Sequence, residues 1–106
     1  MVSYADFARL EMRIGRVAAA ERVQGSEKLL RMDVDLGTER RQLVAGIGKD
    51  YAPEEVVGKK IVVLANLEPK KMMGLESQGM LLAAWDDKGV VLLTVDRDVG
   101  EGAKVG

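Results

Sequence analysis

Leu30-Arg31-Met32-Asp33-Val34-Asp35-Leu36 puts four large apolar side chains on one parity and three charged ones on the other. A strict period of two is the mark of a strand with one face in a core and the other in water. These seven residues predict a half-buried antiparallel strand. Both flanks agree, because Gln24-Gly25-Ser26 and Gly37-Thr38-Glu39 carry turn chemistry. Beyond the second turn, Arg41–Ile47 brings Leu43, Ala45 and Ile47 into phase and predicts the next strand of a meander. On the other side, Met12 and Ile14 share one parity and Val17 and Ala19 the opposite one, with Gly15 at the shift. A parity break at a glycine marks a bulge or a sharp coil, so a long bent strand is expected near Glu11–Val23 with its irregularity at Gly15.

Downstream, Pro53–Gly58 has Pro at a helix start, acids in the first turn and Gly after the end, and predicts one or two helical turns. Ile61–Ala65 is a continuous apolar run suited to a central strand. Asn66–Gly79 reads as a long polar loop, Met80–Trp85 as an apolar strand, Asp86–Gly89 as a hairpin turn and Val90–Val95 as the return strand. Ser3 is placed to cap a short helix over Tyr4–Leu10, and residues 96–106 carry no strong pattern. Three meandering strands, a short helix and two more strands is the order of an all-β, five-stranded OB-fold Greek-key barrel. An SH3-like barrel of the same size lacks the helix between strands three and four. The expectation is one domain over residues 1–106, with a core near 11–95, an N-terminal helical appendage over 1–10 and a C-terminal extension over 96–106.

The 106 residues are 47% hydrophobic and 31% charged, which suits one globular domain and leaves no room for a second. There is no Cys and no His, which excludes thiolate nucleophiles, Cys/His zinc sites, Ser-His-Asp relays and imidazole switches. No catalytic residue, metal site or cofactor is expected. Asp33/Asp35, Asp86/Asp87 and Asp96/Asp98 read as solvent-facing acids, and Gly46-Ile47-Gly48-Lys49 lacks the spacing of a phosphate-binding loop. No stretch reaches the roughly 18–20 apolar residues of a membrane span, and the charged opening has no signal-peptide core. The expected location is cytoplasmic, with no membrane partner.

The net charge of −1 announces no global basic field, yet residues 22–71 carry ten Lys/Arg against eight Asp/Glu, whereas residues 72–106 carry three against six. OB barrels bind oligonucleotides with basic groups and stacked aromatics. Basic groups are present at Lys28, Arg31, Arg40, Arg41, Lys59, Lys60, Lys70 and Lys71, but the only aromatics are Tyr4, Phe7, Tyr51 and Trp85, and no predicted strand alternates two of them. An RNA partner would be read by backbone shape or by one or two unstacked bases. The stretch Asn66–Met80 combines two lysines, two glycines, a Ser and three Met. Its length is unusual for a compact domain, so a functional loop and an ordinary connection with buried Met both remain open.

ADFARLEMRIGRV (5–17), GSEKLLRMDVDLG (25–37), the run through NLEPKKMMGLESQGMLLAA (66–84) and DVGEGAKV (98–105) closely resemble the tRNA-binding domain family. Its members include the C-terminal extension or beta subunit of methionyl-tRNA synthetase and free-standing tRNA-binding proteins. The resemblance implies a non-catalytic barrel with tRNA as partner, and possible association with the synthetase's catalytic chain. Carried over by motif position, the RNA-contacting residues are Lys28 in Ser-Glu-Lys-Leu, Ser77 and Met80 in Ser-Gln-Gly-Met, and Asn66. Arg41 and Lys70 are added on charge. The family usually carries His-Pro ahead of the lysine segment, where this chain has Val23-Gln24-Gly25-Ser26-Glu27. The family dimerises through its terminal appendages, which implies a homodimer with Tyr4, Phe7, Leu10, Val99 and Val105 at the interface. An export-related chaperone with the same barrel is the alternative, its peptide held by Met72, Met73 and Met80. Ser-x-Gly-Met points to the tRNA side. Met1 directly ahead of the first helix leads to the expectation of a complete small protein or beta subunit over a detached domain.

Overall fold

The computed structural model describes residues 1–106. The alternating segment forms β2 (Leu30–Asp35), which lies antiparallel between β1 (Met12–Arg22) and β3 (Arg40–Ala45). Val34 stands opposite Val17 on one side and Arg41 on the other; Met32 stands opposite Ala20 and Leu43. Burial follows the pattern residue by residue, with Leu30, Met32 and Val34 sealed in the core and Arg31, Asp33 and Asp35 partly exposed.

β1 is long and bent, but its irregularity is not at Gly15. The register with β2 shifts between Val17 and Ala19, so Ala18 is the extra residue. Gly15 is needed for a close approach instead: a Cβ there would stand 2.5 Å from Val34 Cγ1 and 2.9 Å from Leu36 Cδ2. The bend lets one strand serve two partners. Residues 16–22 pair with β2, while residues 12–16 pair with β4 (Lys60–Leu64). α2 (Pro53–Val56) enters between β3 and β4 as expected, buries Val56 in the core and passes Gly58 N–H to Val17 O at 2.8 Å.

The segment read as a structureless loop contains a hairpin. β5 (Lys70–Met72) pairs with β6 (Leu75–Ser77) across a two-residue Met73-Gly74 turn. Met73 takes a left-handed φ of 51°, an unfavourable conformation for a non-glycine residue. The strand expected at Met80–Trp85 is broken at Leu82 into β7 (Met80–Leu81), which pairs with β4, and β8 (Ala83–Asp86), which pairs with β9 (Gly89–Leu92). The tail is also more ordered than its pattern promised: β10 (Lys104–Val105) pairs with Met12 and Arg13 of β1. α1 (Tyr4–Ala8) is shorter than expected, with Ser3 Oγ accepting from Asp6 N–H at 3.1 Å.

The main sheet runs β3-β2-β1-β4-β7 and curls toward closure around Val17, Leu30, Ile61 and Val63. The remaining gap lies between β3 and the β6–β7 segment, and backbone and side-chain bonds bridge it. Gln78 N–H donates to Gln42 O at 2.8 Å, and Gln42 N–H donates to Gln78 Oε1 at 3.1 Å. The molecule is thus an all-β, nearly closed barrel of the OB type with two short helices. No helix is long and apolar enough to cross a membrane.

Candidate nucleic-acid interface

An edge strand with free N–H groups has to be covered or solvated. Here the β5–β6 hairpin covers β3. Ser77, only 4% exposed, accepts from Val44 N–H at 3.0 Å and donates to Gly79 O at 2.9 Å. Gln42 Nε2 donates to Glu76 O at 2.8 Å. The hairpin therefore stands off the barrel at a fixed height, and a cavity of about 350 Å³ opens beneath it, lined by Val44, Leu67, Glu68, Lys70, Met72, Ser77, Gly79 and Met80. The parity of β7 points Leu81 into the core and leaves Met80 48% exposed at the mouth. Lys70, Ser77 and Met80, chosen from sequence, meet at this cavity. Val44 and Leu67 were not singled out.

The other three expected residues stand elsewhere and do different work. The Asn66 amide is engaged at both ends: Oδ1 accepts from Glu11 N–H at 2.8 Å, and Nδ2 donates to Arg9 O at 2.7 Å. It ties the end of α1 to the barrel. Arg41 donates through Nε to Glu39 Oε1 at 2.7 Å and through Nη1 to Gln78 O at 3.2 Å and to Ala65 O. The hydrogen bond from Arg41, reinforced by its charge, holds the Glu39 carboxyl below the usual range. The Lys28 stem runs over Gly46, where a Cβ would meet its Cε at 2.8 Å, and Lys28 O accepts from Gly48 N–H at 2.7 Å. Lys28 thus lies just past the end of β3, and Val44 on the same strand anchors Ser77.

The basic groups divide into two sets. Arg13, Arg31 and Arg41 each pair with an acid two residues away on the same strand side, namely Glu11, Asp33 and Glu39. Arg16 and Lys60 pair with acids on other elements. Arg9, Arg22, Lys28, Arg40, Lys49, Lys59, Lys70, Lys71, Lys88 and Lys104 have no carboxylate within ion-pair distance. Arg40 lines a groove of about 260 Å³ that shares Leu67 with the larger cavity. Arg22 and Lys49 line a polar depression with Ser26, and Arg22 Nη1 is steadied by Gly48 O at 2.8 Å. Arg22 and Lys49 were missed. No local signal marked Arg22, since Arg16 on the same strand likewise has no acid two residues away and yet is paired.

Tyr4, Phe7, Leu10 and Val99 are exposed apolar groups, while Val105 is half-buried in its pairing with Met12. Trp85, 80% exposed on β8, and Val91 on β9 add an apolar patch that the sequence reading did not include. No group of three or more His, Cys, Asp or Glu side chains comes together.

The model of the family described as a putative tRNA binding domain matches residues 12–104. A methionine–tRNA ligase of Thermotoga maritima is 59% identical over 100 residues, covering 94% of this chain and 16% of the ligase. The chain spans about 16% of the length of the curated relatives it matches first. The crystal structure of a MetRS related protein from Pyrococcus horikoshii superposes with a TM-score of 0.94 at 40% identity, covering 100% of this chain and 98% of that one. The chaperone CsaA of Bacillus anthracis superposes with a TM-score of 0.92 at 32% identity, covering 100% and 99%. The chain belongs to the putative tRNA-binding domain family.

Proposed function

We propose that the chain binds folded tRNA by shape, as a homodimer, in the service of methionyl-tRNA synthetase. One observation carries this reading: Lys70, which has no carboxylate within ion-pair distance, stands with Glu68 at a mostly apolar cavity that no aromatic ring lines, and Arg40 lines the groove next to it. Lys28 and Lys70 supply charge to phosphates, and Met80 packs against a base. Ser77, Asn66 and Arg41 act by holding the hairpin, α1 and the 65–78 connection in position. A binder of this kind tracks a fixed phosphate geometry rather than a stack of bases. Dimerisation would cover Tyr4, Phe7, Leu10, Val99 and Val105, together with Trp85, and would present two such faces, adding avidity.

The apolar walls and the likeness to CsaA favour a second reading, an apolar peptide held by Met72 and Met80. Salt separates the two, because phosphate contacts weaken as ionic strength rises and apolar contacts do not. RNA co-purifying with the protein should be sequenced. Enrichment of tRNA supports the first reading; RNA without tRNA enrichment, or a salt-insensitive complex with denatured protein alone, contradicts it.

A further inference from the structure

We infer that the cavity beneath the β5–β6 hairpin receives one unstacked nucleobase, whichever base it is, with its phosphates on Lys70 and Arg40. The inference rests on the tRNA reading and adds the means of grip. Val44, Leu67, Met72 and Met80 give the cavity its apolar wall, with Glu68 and Lys70 as its charged members, and the volume of about 350 Å³ admits a flat heterocycle but no longer run of bases. It lies at the small end of the range for ligand cavities, about 300–1,000 Å³. With no ring on this face, the thioethers of Met72 and Met80 are the groups able to take a π surface, a favourable contact for sulfur.

The Ser77 hydroxyl is engaged by Val44 N–H and Gly79 O, so it offers no free code to a base edge. Glu68 and Lys70, the other polar side chains of the lining, are exposed and held in no hydrogen bond, so neither presents a fixed code, and tolerance of base identity follows. Leu67 is the wall common to the cavity and to the groove that holds Arg40. A nucleotide with its base on one side of Leu67 therefore places the neighbouring phosphate in a groove where the Glu39 carboxylate is neutralised by Arg41 and the Arg40 guanidinium is unpaired, while Lys70 stands at the cavity itself. An apolar peptide side chain would fill the same space but neutralise neither cation.

The test uses three ligands: unfractionated tRNA, an RNA hairpin with one bulged 2-aminopurine, and the same hairpin fully paired. The parent should bind the bulged hairpin several-fold tighter than the paired one, with a change in 2-aminopurine fluorescence. Replacing the bulged base by A, C, G or U should leave affinity within about threefold. Met72→Ala and Leu67→Ala should each weaken bulge binding roughly three- to tenfold without changing its salt dependence. Leu67 is exposed, so its variant folds and decides the matter even where Met72→Ala unfolds. If the parent binds tRNA but shows no preference for the bulge, or if Leu67→Ala binds tRNA and bulge like the parent, the base-capture inference fails and the tRNA reading stands. A parent that binds none of the three ligands ends both.

Discussion

Ser77 Oγ accepts a hydrogen bond from Val44 N–H at 3.0 Å across 33 residues of chain. A side chain here takes the place of a missing strand pairing. It satisfies a backbone donor on the edge of β3, completes the barrel wall and sets the floor of the cavity. The same hydroxyl donates to Gly79 O, which fixes the entry to β7 beside Met80.

Ser77→Ala should therefore cost stability as well as binding. It strands a buried N–H with no alternative partner, a loss of about 1–3 kcal/mol. Urea unfolding should show a lower midpoint with an unchanged slope, and tRNA affinity should fall because the hairpin loses its anchor. Parental stability together with weakened binding would instead make the hydroxyl a direct RNA contact.

Charge variants should separate by whether the cation already has a partner. Lys28→Ala and Lys70→Ala should each weaken tRNA binding and reduce the slope of log affinity against log salt by about 0.7–0.9. Arg41→Ala should leave that slope alone and destabilise the fold, because its guanidinium bonds Glu39, Gln78 O and Ala65 O. Filter binding from about 50 to 200 mM salt, beside thermal melts, reads both effects.

Much of the barrel was legible because its core strands obey one rule. Leu30–Leu36 declares which side faces inward, whereas ion pairing was not legible: Arg41, chosen for its charge, is held by Glu39, and Arg16 finds Asp35 and Glu101 on distant segments. The parity break near Gly15 showed that β1 must bend, but parity counts residues and does not say which one is extra; tertiary contact with Val34 explains the glycine and Ala18 takes the bulge. The β5–β6 hairpin was illegible. Lys70–Met72 is too short and too charged to show a period, and Met73-Gly74 is not a favoured hairpin turn pair. Ser77 and Met80 could be named from the motif and Lys70 from its charge, whereas Val44 and Leu67 look like ordinary barrel residues until the hairpin is folded over them.

Asn66→Ala should loosen the N-terminus. Its amide holds Arg9 O and Glu11 N–H, the junction between α1 and β1. Tryptic cleavage after Arg9 should accelerate. If α1 contributes to a dimer, light scattering should show the variant dissociating at higher concentration than the parent, for which about twice 11.5 kDa is expected. A parent that stays monomeric at micromolar concentration contradicts the interface.

The C-terminal tail should be acid-sensitive. Lys60 Nζ donates to Asp98 Oδ1 at 2.6 Å and also reaches Val99 O. The hydrogen bond and charge of Lys60 hold the Asp98 carboxyl below its usual range. A carboxyl depressed in the folded state stabilises it at pH values above the usual aspartate range, and that stabilisation fades as pH falls through the lowered value. Amide exchange at Lys104 and Val105, referred to the intrinsic rate at each pH, should lose protection on acidification. Asp98→Asn should remove this pH dependence, and the total effect should be small because Asp98 is exposed.

The most direct test of the central claim is a titration of the parent protein with folded tRNA and with an unstructured RNA of equal length at one salt concentration. Recognition by shape predicts clearly tighter binding of tRNA, a gap that persists across several tRNA species and closes when the tRNA is unfolded. Equal affinity for tRNA and the unstructured strand would contradict it.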